Sequence, residues 1–175
     1  MSDDLNSRQF LTFTLAEEQF ALNIASVKEV LEHTKITKVP RTPKFMKGVI
    51  NLRGHAVPIV DMRLKFGMHE GELTVNTCFI IVEVPTGGDD IVQIGALVDS
   101  VREVIEMNEN EVEPPPKMGL SLEVEFIRGM ARRDDEFVLI LDVERIFSAD
   151  ELKAAENMSN ENKAGLEAEL EAEPL

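Results

Sequence analysis

The chain has 175 residues, a net charge of −15, 43% hydrophobic residues and nine phenylalanines as its only aromatics, which suffices for one compact domain or two small lobes. Its charge argues against nucleic acid and anionic lipid as direct partners, and a single cysteine, Cys78, rules out an intrachain disulfide and fits a reducing compartment. No basic, apolar leader and no run of about 18 apolar residues is present, so a chain that is neither exported by that route nor inserted in a membrane is expected.

Residues 1–8 are polar and read as a flexible N-terminus. Leu11, Phe13 and Leu15 alternate with threonines, and Phe20, Leu22 and Ile24 alternate after the polar turn Ala16-Glu17-Glu18, the period of two half-buried strands. Ser26 followed by Glu29 has the spacing of a capping box, which predicts a short helix with Val27, Val30 and Leu31 on its buried face. The β-branched residues of the same stretch favour a strand instead, and both readings stand at this point.

Pro40 and Pro43 punctuate a loop; Gly48–Leu52 and Ala56–Val60 then read as strands joined through Arg53-Gly54-His55. Asp61 opens a helical turn to Phe66 that Gly67 stops. Thr77–Val84 is nearly all apolar, as in a strand buried on both faces, and Gly87-Gly88-Asp89-Asp90 is a hairpin turn leading into a returning strand, Ile91–Val101. Pro114-Pro115-Pro116 forces an extended surface segment. Phe137–Leu141 is the last strand, and Asp142 opens a helix through Phe147 that runs on toward Met158. The segment 148–175 carries eight acids against two lysines, a net of −6, which leaves −9 on the body. Leu166 and Leu170 within it suit a marginal helix or disorder.

The pattern occurs twice. Ser26-Val27-Lys28-Glu29-Val30-Leu31-Glu32 returns 74 residues on as Ser100-Val101-Arg102-Glu103-Val104-Ile105-Glu106, and Phe45-Met46-Lys47-Gly48 returns 81 residues on as Phe126-Ile127-Arg128-Gly129. Asp61 and Phe66 are answered by Asp142 and Phe147 at the same spacing. Seven residues are therefore inserted in the second copy, within Asn108–Leu122. Two lobes of about 70 residues, near 9–75 and 76–147, interleaved or sequential, are expected to share a core because each is near the lower limit for folding alone.

Enzyme chemistry is poorly served. His33, His55 and His69 lack metal-site spacing, the lone cysteine has no second sulfur ligand, and no nucleophile elbow or phosphate loop occurs. Asp89-Asp90 and Asp134-Asp135 read as solvated turns, and Asp61 and Asp142 as helix caps. Neither a metal nor a cofactor is implied.

The stretch Phe45-Met46-Lys47-Gly48-Val49-Ile50-Asn51-Leu52-Arg53-Gly54, followed by Val57-Pro58-Ile59-Val60-Asp61-Met62-Arg63, resembles the signature of the CheW-like family of chemotaxis coupling proteins. Gly95-Ala96-Leu97-Val98-Asp99 and Ile127-Arg128-Gly129 also fit, so the resemblance spans about Phe10–Phe147. It implies a mainly β fold of two SH3-like five-stranded barrels related by duplication, with short helices and a C-terminal helix or tail. It implies a stand-alone, non-catalytic cytoplasmic adaptor recruited to membrane-associated receptor arrays, where it bridges chemoreceptor tips to the regulatory domain of the histidine kinase CheA and joins other CheW-like domains in rings.

By the same resemblance, partner contacts fall on Val27, Glu29 and Val30, on Gly48, Asn51, Arg53 and Gly54, and on Val98 and Ser100 beside a groove between the lobes. The first copy alone carries Asn51-Leu52-Arg53-Gly54; its counterpart is Arg132-Arg133-Asp134-Asp135, which makes that difference the place to look for coupling. Two rivals remain: an adaptor for another output such as twitching motility, and a small groove-binding enzyme with His55 as base.

Overall fold

The computed structural model describes residues 8–86, 88, 90–114 and 126–158. The expectations for residues 1–7, for Gly87 and Asp89 of the hairpin turn, for the insert over 115–125 and for the tail over 159–175 lie outside the described residues.

The ten described strands are β1 (Gln9–Leu15), β2 (Glu18–Asn23), β3 (Val27–Glu32), β4 (Met46–Leu52), β5 (His55–Asp61), β6 (Cys78–Pro85), β7 (Ile91–Val98), β8 (Ser100–Glu106), β9 (Ile127–Arg133) and β10 (Glu136–Leu141). They form two five-stranded sheets, ordered β8-β1-β2-β10-β9 and β3-β6-β7-β5-β4, so the fold is mainly β with two lobes. Each sheet is antiparallel except for one parallel pair, β10 with β2 and β5 with β7.

The two orders superimpose when β1, β2, β8, β9 and β10 are matched to β6, β7, β3, β4 and β5. The sheets therefore do not follow sequential boundaries at 9–75 and 76–147. Each combines the first hairpin of one repeat with the three following strands of the other. The linkers explain the exchange. Only Asp99 separates β7 from β8, too few residues for the two-residue turn that would fold β8 back on β7. The predicted strand Ile91–Val101 is thus two strands in different sheets.

Three hairpins turn on two residues with positive φ: Ala16-Glu17 (50° and 71°), Arg53-Gly54 (52° and 84°) and Asp134-Asp135 (50° and 66°). That left-handed pair matches the twist of the flanking strands. β9 was not anticipated; it is an edge strand whose apolar residues are interrupted by Arg128, Arg132 and Arg133. The helix expected after Ser26 is replaced by a single 3-10 turn, Ile24–Ser26, capped by Asn23, and by strand β3. The helix after Asp142 ends at Ile146, and a second helical segment covers 149–158.

Three apolar clusters hold the lobes. Six buried residues, including Phe10, Met107 and Ile140, fill one sheet, and six others, including Val57, Phe79 and Leu97, fill its partner. Twenty-three buried residues drawn from both sheets and from 149–158 form the third. The largest cluster is the shared one, so neither lobe keeps a sufficient core alone. A file of rings, Phe13–Phe20–Phe66–Phe126, with centroids 5.8, 6.0 and 5.4 Å apart, crosses this interface.

Candidate functional site: an ion-paired seam on the first lobe

β3 is an edge of its sheet, and β4 is the opposite edge. The sheet curls until these edges approach, and the side chains that meet there are Glu29 of β3 and Arg53 of the β4–β5 turn. Arg53 Nη1 donates to Glu29 Oε2 at 2.9 Å and Nη2 to Oε1 at 2.8 Å. This is the bidentate geometry for which a guanidinium is shaped. The hydrogen-bonded Arg53 holds the Glu29 carboxyl below its usual range, and Glu29 raises Arg53 in turn. Both groups are wet, with side-chain exposures of 66% for Arg53 and 21% for Glu29, so the pair orients Arg53 more than it stabilises the fold.

The turn itself is built for this presentation. Asn51 Oδ1 accepts from Gly54 N at 2.8 Å, closing the hairpin locally. Gly54, at φ +84°, occupies the second left-handed position without a Cβ penalty. Arg53 spends two donors on Glu29 and keeps the other three for a ligand.

On β3 the side chains alternate. Val27, Glu29 and Leu31 are half-buried, while Lys28, Val30 and Glu32 are exposed. Val27 packs against the shared core, so the free apolar side chain is Val30, 39% exposed. Its counterpart Val104 on the other edge strand, β8, is 51% exposed.

The remaining residues singled out from sequence lie elsewhere. Gly48 is buried at φ +142°, and a Cβ there would stand 2.0 Å from the Thr37 carbonyl oxygen. Thr37 bridges Val49 through two 2.8 Å backbone bonds, so Gly48 lets a strap of chain lie against β4. Gly129 repeats the device beneath Glu113. Val98 is 1% exposed, within the central strand β7. Ser100 is in the other sheet, its hydroxyl 2.6 Å from that of Thr14, and lines a polar depression with Arg63, Asp99 and Arg102. Glu29, Asn51, Arg53 and Gly54 are thus brought together, with Val30 alongside on β3.

A separate groove of about 440 Å³ lies between the lobes, with Leu22, Glu83, Ile91, Arg128 and Val143 among its walls. Val98 and Ser100 do not line it. Sequence reading missed the pin at the strand crossover: Arg63 Nε donates to Asp99 Oδ1 at 2.8 Å, and Asp99 Oδ2 accepts from Ala16 N at 2.7 Å. Both residues stand in quoted motifs, but nothing in their spacing says that they meet. Among the described residues no group of three or more His, Cys, Asp or Glu is placed to hold a metal ion, and His55 is an exposed residue at the start of β5.

Residues 9–151 match the model of the CheW-like domain. The chain is 31% identical over 152 residues to the chemotaxis protein CheW of Klebsiella aerogenes, covering 87% of this chain and 89% of that one. It is 32% identical over 142 residues to the chemotaxis protein CheW of Helicobacter pylori, covering 81% and 82%. Among solved structures, the scaffolding protein TtCheW of Thermoanaerobacter tengcongensis is similar with a TM-score of 0.72 and 36% identity, over 81% of this chain and 88% of that chain.

Proposed function

The chain belongs to the CheW-like domain family, and on that premise we propose that it couples chemoreceptor tips to the regulatory domain of the histidine kinase CheA. Its role is that of a chemotaxis scaffold, and it is not an enzyme.

The observation that carries the coupling proposal is an asymmetry between the repeats. Glu29 and Arg53 correspond to Glu103 and Asp134. The second pair is of like charge and cannot form the bridge. There the seam is closed instead by Arg133 Nη2 donating to the Glu106 carbonyl at 2.8 Å. Barrel closure therefore does not require a carboxylate–guanidinium pair, and the first lobe keeps one at its surface. A planar cation with spare donors, fixed by Glu29 and flanked by exposed Val30, suits carboxylates and carbonyls of a partner helix beside an apolar contact.

Val30 and Val104 offer apolar contacts on equivalent edge strands of both lobes, which suits docking between CheW-like domains in rings. Each such contact is expected to be weak alone and to gain by repetition in an array. No described helix is long and apolar enough to cross a membrane; recruitment to membranes is assigned to the receptors. The test is co-sedimentation with receptor-bearing membranes and retention of the CheA regulatory domain on immobilised chain. Arg53→Glu is expected to abolish recruitment without altering the circular dichroism spectrum.

A further inference from the structure

The segment joining β3 to β4 carries a charge opposite to that of the chain. Between His33 and Lys47 stand Lys35, Lys38, Arg41, Lys44 and Lys47, with no aspartate or glutamate, in a chain of net charge −15. Lys35, Lys38, Arg41 and Lys44 are exposed, and none forms an ion pair with another described residue; Lys47 pairs with Glu70. The segment is held in place, not free to seek partners. Thr37 is bonded to β4 on both sides of the Thr37–Val49 bridge, and Thr42 Oγ1 donates to the Val39 carbonyl at 3.1 Å. Four cations displayed on an anchored strap, unneutralised, make an anion-binding surface.

The helical segment 149–158 is packed beside this strap. Val39 and Phe45 of the strap rest on the same apolar cluster that contains Leu152, Ala155 and Met158. Lys65 joins the two directly: its Nζ lies 4.6 Å from the Phe45 ring centroid and donates to Glu151 Oε2 at 2.6 Å. Because the buried stripe runs from Leu152 to Met158, the chain beyond Met158 departs from a fixed point on this side of the molecule. That remaining stretch, 159–175, is 17 residues long and carries Glu161, Glu167, Glu169, Glu171 and Glu173 against Lys163 alone. It can span up to roughly 55 Å extended or about 25 Å as helix, ample for a neighbouring strap.

We propose that the acidic segment 159–175 docks on the basic strap Lys35–Lys44 of its own chain, covering it electrostatically. Tethering supplies an effective concentration on the order of millimolar, so weak contacts suffice. The contacts are solvent-exposed ion pairs and are screened by salt, since the Debye length is about 8 Å at physiological ionic strength. The cover hides the strap from acidic surfaces of other proteins, which gives the tail a gating role independent of the coupling proposal.

The test is zero-length carbodiimide cross-linking of the full chain, mixed from isotopically light and heavy preparations and read by mass spectrometry. Links from Lys35, Lys38 or Lys44 to Glu167–Glu173 within chains of one isotope are expected. They should fall several-fold at high salt and in the full-length variant Glu167→Gln/Glu169→Gln/Glu171→Gln/Glu173→Gln. That variant should also move the backbone amide resonances of Lys35–Lys44 and leave those of β7 in place. Absence of such links, or links only between light and heavy chains, would overturn the proposal, as would unmoved strap resonances. Sedimentation of the wild-type chain with phosphatidylserine vesicles, without intrachain links, would assign the strap to a lipid surface and equally overturn it.

Discussion

Glu29 and Arg53 stand at opposite edges of one five-stranded sheet and meet in a two-bond ion pair, whereas the residues in their places in the second repeat, Glu103 and Asp134, are both acidic. Duplication explains what the two lobes share, and this difference marks what only one of them has. The expectations below separate residues that build the lobes from residues that a partner would touch.

Gly48 belongs to the first kind. Gly48→Ala places a Cβ 2.0 Å from the Thr37 carbonyl oxygen at φ +142°, and the strap must lift from β4. The expected cost is about 3 kcal/mol or more, from backbone strain plus overpacking. Gly129→Ala meets the Val112 methyl at 2.6 Å and the Glu113 carbonyl at 2.8 Å, with no positive φ, and should cost less. Urea denaturation of both variants gives the order. Lost coupling in a Gly48 variant would then report on the fold before it reported on a contact.

The C-terminal segment divides at Met158. Leu152, Ala155 and Met158 are 6%, 0% and 7% exposed, so ending the chain after Phe147 uncovers the shared core. The expected loss is on the order of 3–5 kcal/mol, the scale of large core deletions. Ending it after Met158 keeps that stripe and should leave the denaturation midpoint within error of the full chain. Equal midpoints for the two truncations would contradict the packing described.

Glu151 has a pH signature. Burial pushes its carboxyl up, but the hydrogen bonds from Lys65 and from the Ser148 backbone outweigh burial and leave it below the usual carboxylate value of 4.5. A depressed acid stabilises the fold above its unfolded pKa and loses that contribution as pH falls through the folded one. Glu151→Gln should therefore lower stability by about 1 kcal/mol near neutrality, a modest figure because the pair is partly wet. The difference from wild type should close as the solution is acidified below the ordinary carboxylate range. Thermal melts across pH provide the check, and a difference that does not depend on pH would point to lost packing instead.

How far the sequence carries is visible in two identical spacings. Ser26 and Glu29 have the capping-box spacing, yet the chain there is strand; Ser148 and Glu151 have it too, and form the reciprocal pair, Glu151 N to Ser148 Oγ at 3.1 Å and Ser148 N to Glu151 Oε1 at 2.8 Å. The residues that follow decide. Val27 and Val30 are β-branched, and Glu29 is taken by Arg53; Ala149, Leu152, Ala154 and Ala155 are helix formers. The repeat was legible because matched residues recur at fixed spacing. The exchange of hairpins between sheets was not, because likeness between strands does not say which strands pair. Val98 shows the same limit: family likeness marks a position, but only the placement of β7 between β6 and β5 shows that its side chain is buried.

The most direct measurement is recruitment of the CheA regulatory domain to receptor-bearing membranes by the purified chain, comparing Arg53→Glu with Asp134→Arg. Both positions lie in equivalent hairpin turns, both substitutions reverse charge, and both variants should melt with the wild type. The account predicts that Arg53→Glu leaves the kinase domain in the supernatant and that Asp134→Arg sediments it as wild type does. Recruitment unchanged in Arg53→Glu, or lost equally in both, would contradict the claim that coupling resides where the repeats differ.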